Sequence, residues 1–168
     1  FFEYDVRFIA EGRELSPLTL PLVRGVTEHK NGNFAALPGL LYDSLPDRFG
    51  LSVIRRHFQA EGRGSPSPIE ILSYLGERTM GALTYEPATG DPRENQIVDL
   101  ISAARSARET IEQEHGGSLD PAILQGGATA GGAMPKILAA LSPDAQTIVT
   151  GAQTIPEGME AWIIKLTS

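Results

Sequence analysis

The sequence contains no cysteine and only three histidines, and both facts limit the chemistry open to it. Without cysteine the chain can form neither a disulfide framework nor a thiolate zinc site. His29, His57 and His115 lie far apart in the sequence, and none occurs at a spacing typical of metal ligands, such as H-E-x-x-H. The composition therefore gives no indication of a zinc enzyme.

Long apolar runs and an excess of positive charge are also missing. No run approaches the roughly 20 apolar residues that span a bilayer, and no basic-then-apolar leader opens the chain. The chain has 14 lysine and arginine residues and 21 aspartate and glutamate residues, so its net charge is 14 − 21 = −7. This negative charge argues against a broad basic surface that binds nucleic acid. We expect a soluble, cytoplasmic protein that binds neither a membrane nor nucleic acid directly.

What is present is an ordinary globular composition. The 168 residues suffice for one domain or two small subdomains, and 41% of them are hydrophobic. The chain opens on Phe1 rather than Met, within a stretch that is typical of a strand, and it closes on an apolar strand at Ser168. We therefore expect a fragment of a longer polypeptide.

The first third of the chain mixes strand and helix patterns. Alternating apolar residues predict a strand over residues 2–8, and residues 18–22 predict a second extended segment. Helical spacing follows over residues 37–60, interrupted at Pro46-Asp47 because proline lacks an N–H donor. The polar groups of residues 43–47 are interpreted as helix caps rather than as a site.

The clearest local signal is Ser67-Pro68-Ile69-Glu70. Serine as the N-cap, proline at the first helical position and glutamate at the third predict a capping box and a helix that runs to about Leu75. A strand is predicted over Met80–Tyr85. The stretch Glu86–Glu94, which holds two prolines and a glycine, is the best candidate for a linker.

The second half predicts one helix followed by strands. An apolar stripe predicts a helix over about Ile97–Glu114. Beyond a Gly-rich stretch come three predicted strands, at residues 136–141, 146–150 and 161–166. A turn is expected at residues 142–145, and Trp162 is interpreted as a core residue of a strand that looks buried. The fold class is therefore α+β.

The Gly-rich segment Gly126–Lys136 is the first candidate for binding chemistry. Glycines let backbone N–H groups approach an anion closely, and the terminal lysine adds a positive charge. The segment matches neither G-x-x-x-x-G-K-[ST] nor the strand-then-helix order of a dinucleotide-binding fold. A Gly-rich turn that enters a strand occurs instead in kinases, where it covers the nucleotide phosphates. Composition alone favours a flexible linker or a plain hairpin turn.

The second candidate is Lys165, between Ile164 and Leu166 in an apolar strand. A lysine in such a place usually reaches an edge or pairs with a carboxylate, whereas in kinases a strand lysine binds the phosphates. The Gly-rich segment, a strand–turn–strand and a strand with a lysine follow one another here. That order is typical of a kinase N-lobe.

Over nearly its whole length, the chain resembles the HipA-type protein kinases, the toxins of bacterial type II toxin–antitoxin modules. The N-terminal likeness is carried by Phe2-Glu3-Tyr4, Leu15–Leu22, Leu37–Asp47 and Gly76–Leu83. The stretch Gly131-Gly132-Ala133-Met134-Pro135-Lys136 resembles the family's G-G-A-R-P-K loop, with Met134 in place of the arginine. Trp162-Ile163-Ile164-Lys165 is similar to its lysine strand.

The resemblance implies three parts within the α+β chain. A HipA-type N-terminal subdomain would cover residues 1–86, truncated at its start, and a linker with a connecting helix would cover residues 87–118. Residues 119–168 would form the first part of a kinase-like N-lobe, with antiparallel strands and the Gly-rich loop.

The resemblance also implies a serine/threonine kinase that uses ATP and Mg²⁺. Thr129 stands where the family has an autophosphorylated serine. The implied partners are a HipB-like DNA-binding antitoxin and a protein substrate such as an aminoacyl-tRNA synthetase. The residues implied to contact ATP are Gly131, Gly132, Ala133, Met134, Pro135, Lys136 and Lys165.

The base and the metal ligands of such a kinase would lie beyond Ser168. No catalytic residue and no metal site is therefore expected within this chain, and the chain alone is expected to be inactive. The alternative is a non-catalytic interaction module that binds an antitoxin or a sibling kinase subunit. In that case the Gly-rich segment would be an inert connector.

Overall fold

A computed structural model describes residues 1–16, 18–30, 32–79, 81–90, 96–97, 136–150 and 155–165. The chain divides into two compact units, Phe1–Leu45 and Pro46–Ser168. The first unit holds the helices α1 (Val6–Glu11) and α2 (Gly39–Tyr42). The second holds helices α3 (Arg48–Ala60) and α4 (Pro68–Leu75) and strands β1 (Gln96–Ile97), β2 (Lys136–Leu141), β3 (Ile148–Thr150) and β4 (Glu160–Lys165). The architecture is mixed α+β, as predicted.

The predicted strand over residues 2–8 is wrong, because α1 begins at Val6. Asp5 caps this helix, and its carboxylate accepts a hydrogen bond of 2.7 Å from the backbone N–H of Arg7. Gly12 ends the helix in the left-handed conformation, with φ of 68°. These local caps outweigh the alternating apolar pattern, which accounts only for an isolated antiparallel bridge between Phe2 and Thr27.

An aromatic cluster centred on Tyr4 forms the core of the first unit. The Tyr4 ring stacks on Phe8 with centroids 5.5 Å apart and meets Phe2 edge-on at 4.9 Å. Its hydroxyl donates a 2.7 Å hydrogen bond to the carbonyl of Leu20, which is also buried. The predicted extended segment over residues 18–22 is thus tied down by a side chain, with an isolated bridge to Ser16 rather than a regular strand.

Helices α3 and α4 form where the sequence predicts helices. Asp47 caps α3 by accepting a 2.8 Å hydrogen bond from the N–H of Gly50, so the helix begins directly after the predicted interruption at Pro46-Asp47. Ser67 and Glu70 form the predicted capping box at the start of α4. The two helices meet through an edge-to-face contact between Phe58 and Tyr74, with ring centroids 5.8 Å apart.

The predicted strand over Met80–Tyr85 is wrong for the residues described there. Gly81 has a φ of 107°, and the hydroxyl of Thr79 donates to the carbonyl of Leu83, so the chain turns sharply instead of extending. The backbone N–H of Tyr85 then donates to the carbonyl of Gly76 over 3.1 Å. The segment that follows α4 therefore folds back over the end of that helix.

The sheet of the second unit is antiparallel, in the order β1-β3-β2-β4. Strand β2 coincides with the predicted range, β3 is shorter than predicted, and β4 begins one residue earlier than predicted. The predicted turn is present, with the N–H of Ala145 donating to the carbonyl of Ser142 over 2.8 Å. Ile97, the predicted first residue of a helix, lies in β1 instead, and residues 98–114 of that prediction fall outside the described residues.

Strands β2 and β4 differ sharply in burial. Ile137 in β2 is fully buried, whereas Trp162 and Ile163 in β4 are 48% and 54% exposed. The expectations that β4 is buried and that Trp162 is a core residue are therefore wrong. The physical reason is position, since β4 has a single hydrogen-bonded neighbour among the described strands and lies at their edge.

Candidate phosphate-binding site

The two lysines singled out in the sequence lie directly opposite each other in the sheet. Lys136 is the first residue of β2 and Lys165 the last of β4, and the antiparallel register pairs them. Side chains of directly opposed residues project from the same face of a sheet, with their Cβ atoms about 4.5–5.5 Å apart. The fold thus makes two lysines that are distant in the sequence direct neighbours across two strands.

The other predicted contacts come from the Gly-rich segment. Gly131, Gly132, Ala133, Met134 and Pro135, together with Thr129, fall outside the described residues. The chain nevertheless enters β2 immediately after this stretch.

Lys136 is a buried cation with a carboxylate beside it. Its side chain is 8% exposed, and its Nζ lies 3.7 Å from Oδ2 of Asp47. Asp47 is itself largely buried, with 14% of its side chain exposed. A buried charge is tolerated when an opposite charge lies beside it, and this pair has that arrangement.

Asp47 uses its two oxygens for different purposes. Oδ1 accepts the N–H of Gly50 and caps α3, while Oδ2 faces the ammonium of Lys136. The sequence predicted the cap, and the structure confirms it for Asp47. It did not predict the ion pair, because α3 and β2 are brought together by the tertiary fold and no local spacing connects them.

Lys165 has a different environment from Lys136. It is exposed at the end of the edge strand β4. By the alternation of a pleated strand, Ile163 shares its face, and Ile163 pairs with Leu138 of β2. The exposed ammonium of Lys165 therefore lies next to an apolar strip formed by Ile163 and Leu138. Such a surface can accept a ligand that has both an anionic and an apolar part.

The local charge contrasts with that of the chain. Among the described residues, these two lysines and one aspartate sum to +1, on a protein whose net charge is −7. A local positive charge of this kind can attract an anion. In the described ranges no group of three or more acidic or histidine side chains could hold a metal ion.

Comparison with known proteins places the chain in a family. The profile of the HipA N-terminal domain matches residues 1–86. The chain belongs to the HipA N-terminal domain family. This finding confirms the resemblance inferred from the sequence for residues 1–86. No curated protein and no solved structure shows a significant match to the chain.

The HipA match covers one part of the candidate site. Helices α1 to α4 and Asp47 lie within it, whereas Lys136 and Lys165 lie beyond its end. The Asp47–Lys136 pair therefore connects the family domain to the strand that follows the Gly-rich segment. Among the residues that the structure describes, no helix is both long and apolar enough to cross a membrane.

Proposed function

We propose that this chain supplies the phosphate-binding part of a HipA-type serine/threonine kinase. The whole kinase would transfer the γ-phosphate of ATP to a serine or threonine of a target protein, as the toxin of a toxin–antitoxin module. Mg²⁺ ligands and the base that accepts the hydroxyl proton would come from outside this chain. Membership of the HipA family supports the assignment to this class.

The observation that carries the proposal is the register of Lys136 with Lys165. Like charges directly opposite each other in a sheet destabilise it. Asp47 lies beside Lys136 within this pair, so an anion that binds at the exposed Lys165 relieves the remaining positive charge, and a lysine ammonium binds a phosphate as a compact point charge. In kinases a strand lysine that follows a Gly-rich loop serves this purpose.

The Gly-rich stretch has a complementary task in this proposal. The N–H groups of Gly131 and Gly132 would donate to phosphate oxygens, and no side chain at these positions would hold the phosphates away. Met134 supplies no charge where the family has arginine, so more of the attraction would rest on the lysines. Thr129 would be the site of regulatory phosphorylation.

Lysine-directed labelling tests the proposal sharply, because the chain has only three lysines, Lys30, Lys136 and Lys165. An ATP analogue acylated on its γ-phosphate transfers the acyl group to an amine close to the bound phosphates. We expect acylation of Lys165 at about ten times or more the rate of Lys30, because binding raises the effective concentration of the probe. Peptide mass spectrometry after a short exposure gives both rates.

Lys30 is a matched control. Its side chain is 78% exposed and it has its own ion pair, 2.8 Å long, with Glu28. Excess ATP is expected to suppress labelling of Lys165 and to leave Lys30 unchanged. Equal labelling of the two lysines, or labelling of Lys165 that ATP does not suppress, would show that the lysine face is not a nucleotide site.

A second candidate function is an interaction module that binds a HipB-like antitoxin or a sibling kinase subunit. The first unit favours it, since four large apolar side chains there are 62–95% exposed, namely Phe1, Val6, Leu18 and Val26. Exposed apolar groups of this kind are used in protein interfaces. A folded chain in which ATP protects no lysine would favour this second function over the first.

A further inference from the structure

We propose that Asp47 is a positioning residue of the phosphate site, which neutralises Lys136 so that Lys165 is the ammonium that contacts the phosphates. This inference rests on the proposed function and deepens it. The sequence resemblance implies that both lysines contact ATP. The inference assigns Lys136 to the stability of the fold and Lys165 to the binding of the ligand.

Burial separates the two lysines. The Lys136 side chain is 8% exposed, whereas Lys165 is exposed on the edge strand. A triphosphate has several charged, hydrated oxygens, which are costly to bury. It can bind an exposed ammonium without a rearrangement of the core, whereas binding to a buried ammonium would require one. Lys165 therefore has the access that the ligand needs.

The capping hydrogen bond fixes the carboxylate of Asp47. Oδ1 accepts from Gly50 at the start of α3, over 2.8 Å, and this orients Oδ2 toward Lys136. If Lys136 turned toward a ligand, it would leave a largely buried carboxylate without its counter-charge, which is strongly unfavourable. Lys136 consequently stays with Asp47 when phosphate binds.

The variants that test these separate roles are chosen by the total charge of Asp47, Lys136 and Lys165. In the wild type, these two lysines and one aspartate sum to +1 among the described residues. Asp47→Asn/Lys136→Met also carries +1 and keeps Lys165. Asp47→Asn/Lys165→Met carries the same +1 and keeps Lys136. The two double variants thus have equal charge and differ in the lysine that remains.

Asparagine is the right replacement at position 47, because it caps a helix about as well as aspartate does. The change removes the charge and preserves the start of α3. Methionine keeps most of the apolar stem of lysine, so packing around β2 is disturbed little. The variants therefore isolate the ammonium and carboxylate groups themselves.

Titration calorimetry of the full 168-residue chain with ATP and with inorganic tripolyphosphate gives the affinities. We expect Asp47→Asn/Lys136→Met to bind within about threefold of the wild type, and Asp47→Asn/Lys165→Met to bind about tenfold or more weakly, as for a lost charge-assisted hydrogen bond. Asp47→Asn alone is expected to bind about threefold more tightly, since the cluster then carries +2. A purely structural ion pair would leave this last affinity unchanged.

The opposite ranking of the double variants would overturn the inference, because it would mean that Lys136 contacts the phosphates. An unchanged affinity for Asp47→Asn would also overturn it. Should Asp47→Asn/Lys165→Met fail to fold, Lys165→Met takes its place, since it leaves the Asp47–Lys136 pair intact. Thermal unfolding of each variant is recorded alongside.

Failure of the proposed function is distinguishable from failure of this inference. If the folded wild type binds neither ATP nor tripolyphosphate, the proposed function is wrong, and Asp47 has no ligand to position. If the wild type binds and the double variants rank the other way, the function stands and the assignment of the two lysines is wrong.

Discussion

At the scale of the residue, the same side-chain type has different environments at two paired positions of the sheet. Lys136 and Lys165 share a face of the sheet, yet one is buried beside Asp47 and the other reaches solvent. A sequence pattern identifies both as candidate phosphate ligands. It cannot rank them, because burial depends on the surrounding strands and helices rather than on neighbouring residues.

Glu70 provides a residue-scale prediction for the dependence of stability on pH. The backbone N–H and the hydroxyl of Ser67 donate to its carboxylate and hold the pKa of Glu70 below its ordinary value of 4.5. A carboxyl group whose pKa is lower in the folded state stabilises the fold above its unfolded pKa, and that contribution is lost as the pH falls through the folded value.

We therefore expect Glu70→Gln to unfold at nearly the same temperature as the wild type at neutral pH, since glutamine also completes a capping box. Below about pH 4.5 the wild type loses the stability that the ionised Glu70 contributes, whereas glutamine does not titrate. The wild type is therefore expected to unfold at a lower temperature than the variant in acid. Thermal unfolding from pH 7 to pH 3 measures the two curves. Wild-type and variant curves that stay parallel down to pH 3 would refute the role given to this carboxylate.

At the scale of the element, the sequence predicted α3, α4 and the strands β2 to β4, but it missed α1 and β1. The start of α4 is set by contacts between Ser67 and Glu70, three residues apart, so the sequence alone predicts it. The strand predicted over residues 2–8 failed because Asp5 and Gly12 cap a helix within the same stretch. The register of β2 with β4 joins distant segments, and it could not be predicted from either strand.

The connection after α4 gives an element-scale prediction at Gly90. A Cβ added there would overlap the carbonyl oxygen of Tyr74 and the guanidinium of Arg78, so the chain passes too close to α4 for a side chain. We expect Gly90→Ala to reduce the free energy of unfolding by about 1–3 kcal/mol. Chemical denaturation followed by circular dichroism measures the change.

Gly64 is the matched control, since nothing lies within 4 Å of a Cβ built there. Gly64→Ala is expected to change the free energy of unfolding by no more than about 0.5 kcal/mol. If Gly90→Ala were as stable as Gly64→Ala, the segment after α4 would be a loose linker, as the sequence suggested for Glu86–Glu94.

At the scale of the whole molecule, the family domain and the lysine strands are joined through Asp47. Motif order in the sequence predicted the mixed α+β class and singled out two lysines that the sheet places opposite each other. The sequence did not predict that Asp47 pairs with Lys136, because capping a helix already accounts for the polar side chains of residues 43–47. The fold adds the second role by bringing β2 to the start of α3.

The most direct measurement compares the affinity of the wild type and Lys165→Met for ATP by titration calorimetry in the presence of Mg²⁺, with Lys30→Met as the control. A phosphate-binding Lys165 predicts an affinity reduced about tenfold or more in Lys165→Met, with no change in Lys30→Met. Equal affinities for ATP in all three folded proteins would contradict the central claim that the lysine face of the sheet binds the phosphates.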